Sequence, residues 1–312
     1  MKPLHNTLIL AGLLMAQPAQ ALTITFDYTY DTKGFFTDTL TGSPLVERRA
    51  LLDQAASFYS GFTDTLTAIT PQAGDQWSVQ ITHPSLGGAA VTLNNIEIAA
   101  DTLRIYVGGS NSAPGVLGFA DTGFNLTASG SDGFVDAVNT RGQLNTSGAT
   151  ASDYGIWGGM IWFNANNNWY FGSDTDGLAP GTPDFLTTAT HEIGHILGFG
   201  TADSWWAQIE NGTFTGANSV AAYGENIPLD RFGAHWATGT MSSTDQGALQ
   251  NTLMDPSTPA GNRELPTLLD YAAFADIGWQ VTATTVPEPG GYAMLVTGLA
   301  VIALSAQRRQ RR

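Results

Sequence analysis

Residues 22–31, "LTITFDYTYD", alternate apolar and polar side chains, the period of a strand with one buried face. Between 43 and 66 the apolar positions of "SPLVERRALLDQAASFYSGFTDTL" recur at helical spacing, and Ser43-Pro44 reads as the cap and first turn. Strand patterns return in "QWSVQITH" (76–83) and "VTLNNIEIAADTLRIYVGG" (91–109), and glycine-rich loops run from about 108 to 155. The stretch 158–172, "GGMIWFNANNNWYFG", reads as an apolar strand leaving into a polar turn, and 173–187 as a loop. A helix is predicted from Pro183-Asp184 through "DFLTTATHEIGHILGF", and a last one over 265–279, "LPTLLDYAAFADIGW". Between them the chain reads as irregular from Gly200 to about 265, and no internal repeat is visible. Strands with one long helix, a second helix, then a loop-rich region closed by a third predict an α+β fold.

Both ends read as addresses. Lys2 and His5 precede the apolar run "TLILAGLLMA", and Ala19-Gln20-Ala21 forms a small-x-small site, so 1–21 is expected to be a signal peptide cleaved before Leu22. At the other end, an apolar stretch from Gly290 to Ala306 is followed by Arg308, Arg309, Arg311 and Arg312, which would hold that terminus in the cytoplasm. The order Val286-Pro287-Glu288-Pro289, span, arginines resembles the PEP-CTERM sorting signal of Gram-negative bacteria. That resemblance implies export, transient tethering to the inner membrane, and an exosortase-type partner acting on 286–312. The final location would be the periplasm, the cell surface or the medium. The body, 22–285, is expected to be one domain of two lobes, 22–200 and 201–285.

The chain has a formal net charge of −15, and every acidic residue except Glu288 lies in the body. Such a surface repels nucleic acid and anionic lipid and suits solubility. There is no cysteine, so an exported fold must rest on its core or on bound metal.

The chemistry concentrates at "HEIGHILGF". On a helix His191 and His195 share a face one turn apart, so both imidazoles reach one ion, and Glu192 stands beside them to take a proton from a water. A catalytic zinc needs a third protein ligand and an open position. Six residues after His195, where a third histidine would fall in the long form of the motif, stands Thr201, which is no substitute. Asp203 is a local candidate, and Glu210 and Glu225 lie in no convincing helix. His83, beside a proline, reads as structural or surface, which leaves His235, in "LDRFGAHWATGTMSS".

With Gly198 three residues after His195, "HEIGHILGF" resembles the metzincin clan of zinc endopeptidases. The His235-Trp236 pair, then "NTLMDP" with Met254, then a helix ending in "ADIGW", looks like the leishmanolysin branch, in which an insertion separates the helix from the third histidine. The resemblance covers about 158–280. It implies a zincin with an N-terminal mixed sheet plus helices, an active-site helix and a loop-rich C-terminal lobe. It further implies zinc on His191, His195 and His235, Glu192 as general base, and Met254 in the turn beneath the metal. Asp203 remains the alternative third ligand. The chain departs from the pattern in lacking the cysteines of leishmanolysins and in carrying Pro256 where some metzincins have an oxyanion-stabilising tyrosine.

Two further sites are open at this level. The strand within 154–164 is either the sheet edge that receives an extended substrate or an internal core strand. Asp174, Asp176 and Asp184 form either a structural Ca2+ site or a solvated loop. The expected function is an exported zinc endopeptidase acting on protein or peptide; the alternative is a non-catalytic matrix or surface protein with a structural or vestigial zinc site.

Overall fold

The computed structural model describes residues 21–282. Residues 1–20 and 283–312, which carry the expected leader cleavage region and sorting segment, lie outside the described residues. Among the described residues no helix is long and apolar enough to cross a membrane.

The chain runs β1 (Thr23–Asp27), α1 (Val46–Ser57), β2 (Gln76–Thr82), β3 (Ala90–Asn94), β4 (Thr102–Ser110), β5 (Gly118–Asp121), β6 (Phe124–Ser129), α2 (Asp132–Thr140), β7 (Gly158–Asn164) and α3 (Phe185–Ile196). It continues through α4 (Asp203–Trp206), β8 (Ile209–Glu210), β9 (Thr213–Phe214), α5 (Ala217–Tyr223), β10 (Ile227–Pro228), β11 (Met241–Ser243), β12 (Leu249–Asn251) and α6 (Leu268–Asp276). The fold is α+β, as the pattern predicts.

The main sheet has the order β1-β4-β7-β5. The first three strands are parallel, and β5 runs antiparallel to β7 at the edge. β7 lies between two neighbours, so the apolar run at 158–164 is that of an internal strand with both faces covered. Of the two readings of that segment the core one holds, and the edge belongs to β5. A second, antiparallel sheet, β3-β2-β6, packs on the first through Trp77, Val79, Ile81, Trp157 and Met160.

Three segments differ from the pattern; one of them, read as irregular from Gly200 to about 265, contains the short elements α4, α5 and β8 to β12. α1 starts at Val46, with Leu45 as a cap that has no side-chain hydrogen bond, while Pro44 bridges Thr37. It stops at Ser57, after which Tyr59, Phe62 and Leu66 enter the core from a turn rather than from a helix. The region read as loops contains β5, β6 and α2. β6 is largely exposed and β5 holds four residues, so neither alternates long enough to be seen. α2 buries only Phe134, Ala137 and Val138, and this i, i+4 spacing was its one signal.

The main core continues from α1, α3 and the sheet into the C-terminal lobe, where it takes in Trp205, Phe214, Trp236, Met254 and Phe274. α6 closes the lobe behind a capping box: Thr267 Oγ1 accepts from the Asp270 N–H and Asp270 Oδ2 accepts from the Thr267 N–H.

Candidate metal centre

α3 begins at Asp184, whose Oδ2 accepts from the Thr187 N–H at 3.1 Å and hydroxyl at 2.7 Å. The guanidinium of Arg263 grips the same carboxylate with Nη2 at 2.8 Å and Nε at 2.9 Å, in a fully buried position. Asp184 is thus committed to a bidentate ion pair, and Asp174 and Asp176 lie in an exposed turn. The three aspartates are not brought together as a group; among the described residues the histidines are the one group of three or more metal-ligating side chains that is.

At its other end α3 stops where the glycine requires it. Gly198 has φ +101°, its N–H donates to His195 O, and the Phe199 N–H reaches back to Gly194 O. This pairing reverses the chain, and it carries Phe199 O to 2.8 Å from His195 Nδ1. Thr201 caps the helix, its hydroxyl donating to His195 O, and ligates nothing. Asp203 starts α4 and accepts from the Gly148 N–H, so it is not in the metal-ligating group.

His235 arrives on a hairpin loop in which Leu229 bridges Trp236. Gly200, at φ +71°, lets Ala234 O approach so closely that any Cβ at 200 would collide with it. The loop is held from below as well: the Trp236 N–H donates to Met254 O and its indole Nε1 to Asp270 Oδ1. Asp270 also accepts from the Leu253 N–H at 2.9 Å and the Met254 N–H at 3.3 Å. Leu253 O in turn receives His191 Nδ1 at 2.8 Å. Asp270 therefore braces the turn and the third histidine together, a role that nothing in its helix pattern signals. Met254, fully buried, lies against Gly194, where a Cβ would meet its Sδ.

The outcome is a convergence of Nε2 atoms: His195 lies 3.1 Å from His191 and 3.0 Å from His235. Carbonyl oxygens only accept, so Nδ1 of His191 and of His195 carries the proton and each Nε2 presents a bare lone pair. Burial, then the neighbouring imidazoles, push His191 and His195 down to about 3 and His235 to about 4, so all three are neutral at pH 7. Lone pairs facing one another at this range repel, and a cation among them removes the repulsion. Tetrahedral ligation at about 2.0–2.1 Å places ligand nitrogens about 3.3 Å apart, close to the spacing observed. The residues fit a metal.

Glu192 lines the same cleft of about 530 Å³, with Thr188, the three histidines, Pro256 and the residues of β5. Burial pushes its carboxyl up to about 8. It lies against Gly118 of β5, where a Cβ would meet Oε1 at 2.8 Å. The Asn164 N–H donates to Leu117 O, and the register pairs Gly118 with Phe163 and Phe119 with Trp162. In an antiparallel ladder this phase turns the peptide groups of Gly118 and Ala120 away from β7, towards the open edge. Of the other candidates, His83 accepts from the Ser85 N–H and packs on Tyr30, a structural role, and Glu210 and Glu225 are exposed and outside the cluster.

A family model described as SPBPB7E8-like matches residues 151–217. That stretch spans β7, α3 and the start of the C-terminal lobe, includes His191, Glu192 and His195, and ends before His235. No curated protein matches the chain.

Proposed function

We propose that this chain is a zinc-dependent endopeptidase. The observation that carries the reading is one cleft holding three converging neutral imidazoles, a buried carboxylate beside them and an open strand edge above. Three nitrogen ligands with room for a water are the donor set of hydrolytic zinc. The likeness to metzincins in "HEIGHILGF", and to leishmanolysins in the later His-Trp and Met segments, points the same way.

Zinc held by the Nε2 atoms of His191, His195 and His235 supplies Lewis acidity towards a water and the substrate carbonyl. An extended peptide pairs with the outward groups of Gly118 and Ala120, which brings its carbonyl carbon over Glu192. The Glu192 carboxylate takes a proton from the water as the water oxygen bonds to that carbon. When the carbon–nitrogen bond breaks, Glu192 hands the same proton to the departing amine. Burial suits it to both roles, since it lifts the carboxyl towards neutrality while a nearby cation lowers it again. Pro256 lines the cleft without a hydroxyl, so no side chain at that place donates to the substrate carbonyl.

The test is Glu192→Gln, which retains the volume and loses the base. Zinc content should stay at the wild-type level while hydrolysis of a casein-type substrate falls at least about 100-fold. Unchanged hydrolysis in the variant would remove Glu192 from the reaction. Zinc-loaded wild type that cleaves no polypeptide would favour the structural surface protein.

A further inference from the structure

We propose that Asp230 is a positioning residue that fixes the ligating tautomer of His235, and that it does so by the same carboxylate that shapes the loop. This rests on the metal-centre reading above. The first two histidines give their Nδ1 protons to backbone carbonyls, Leu253 O and Phe199 O, whose placement follows from helix and turn geometry. His235 has no such carbonyl. Its Nδ1 lies 3.3 Å from Asp230 Oδ2.

The two carboxylate oxygens divide the work. Oδ1 accepts from the N–H groups of Phe232 and Ala234, both at 3.1 Å, and so folds the loop. The loop then closes with the Asp230 N–H on His235 O at 3.0 Å and the Gly233 N–H on Asp230 O at 3.1 Å. Oδ2 is left for the imidazole. The adjacent cation, Arg231, lies over the Phe232 ring at 4.3 Å, and the side-chain partner of Asp230 is the neutral imidazole of His235.

A carboxylate can only accept, so its partner Nδ1 must carry the hydrogen and Nε2 must be bare. Without that constraint the ring has a second choice. Nε2 lies 3.0 Å from His195 Nε2, and a proton placed there would make a good hydrogen bond and block the metal. Asp230 excludes that tautomer.

Asp230→Asn separates tautomer from folding. Its Oδ1 can keep both loop bonds, while its Nδ2 donates to His235 Nδ1 and drives the proton to Nε2. The metal-free variant should therefore melt at or above the wild-type temperature yet bind zinc about 10–100-fold more weakly, as measured by chelator competition. Asp230→Ala loses the loop bonds and should melt lower, but binds zinc more tightly than Asp230→Asn because its ring remains free to turn. In 15N-histidine spectra of metal-free protein, His235 should be protonated on Nδ1 in wild type and on Nε2 in Asp230→Asn. Zinc affinity that simply follows melting temperature across the three proteins, or a wild-type His235 protonated on Nε2, overturns the proposal. Absence of zinc binding in wild type defeats the metal-centre reading instead, and the metal-free spectra still decide the role of Asp230.

Discussion

The helix that carries His191 and His195 and the hairpin that carries His235 deliver the same atom to the same point by different physics. On α3 the two rings are aligned by the helical repeat itself; the outer nitrogen of His195 meets Phe199 O, set by the glycine turn at 198, and that of His191 meets Leu253 O in the turn braced by Asp270. The hairpin has no periodicity to rely on. It depends on a bare backbone at Gly200, a carboxylate at Asp230 and a brace from Asp270, far along the chain. A local ligand pair costs the sequence a spacing; a distant ligand costs it a set of unrelated contacts.

The helix side should break hardest at its start. Arg263→Ala leaves Asp184 as an unpaired charge in a fully buried place, and removing one partner of such a pair costs about 3–5 kcal/mol. Urea unfolding should show that loss. The hairpin side should break at Gly200→Ala, which adds a Cβ against Ala234 O and strains a positive φ, for about 2–3 kcal/mol. The two should differ in what survives: Gly200→Ala loses zinc affinity out of proportion to its stability, because Ala234 carries His235 with it. Equal effects on zinc in the two variants would erase the distinction between helix and hairpin.

Acid is the gentlest probe and acts on both sides. Burial holds the three imidazoles far below their ordinary 6.5, and the unfolded chain takes up protons near that value. Their share of stability is fully present above about pH 6.5 and is lost as pH falls from there towards 3–4. Glu192, pushed up to about 8, runs the other way: its share is present below its ordinary 4.5 and lost as pH rises through 8. Metal-free protein should therefore melt lower at pH 5 than at pH 6.5 in wild type, and the slope should flatten in His191→Phe. An identical slope in that variant would place the titration elsewhere.

The same contrast governs how much the sequence reveals. The paired histidines, Glu192 and the glycine stop at 198 are local, so spacing and turn chemistry expose them. His235 could be named only by resemblance and by the scarcity of histidine, with Asp203 left open beside it. Asp270 acts through groups brought near by folding and Asp230 through the irregular loop it sits in, and no periodicity marks either. The edge strand escaped notice for a related reason. β5 is too short to alternate, whereas the internal β7 draws attention by its apolar run. The aspartates before α3 suggested calcium because the sequence does not show that Arg263 comes back to claim Asp184.

The most direct measurement is metal content by elemental analysis of the purified wild type, His235→Ala and Asp203→Ala proteins. A site built from helix and hairpin together predicts about one zinc per chain in wild type and in Asp203→Ala, and almost none in His235→Ala. Zinc retained in His235→Ala, or lost in Asp203→Ala, would contradict it.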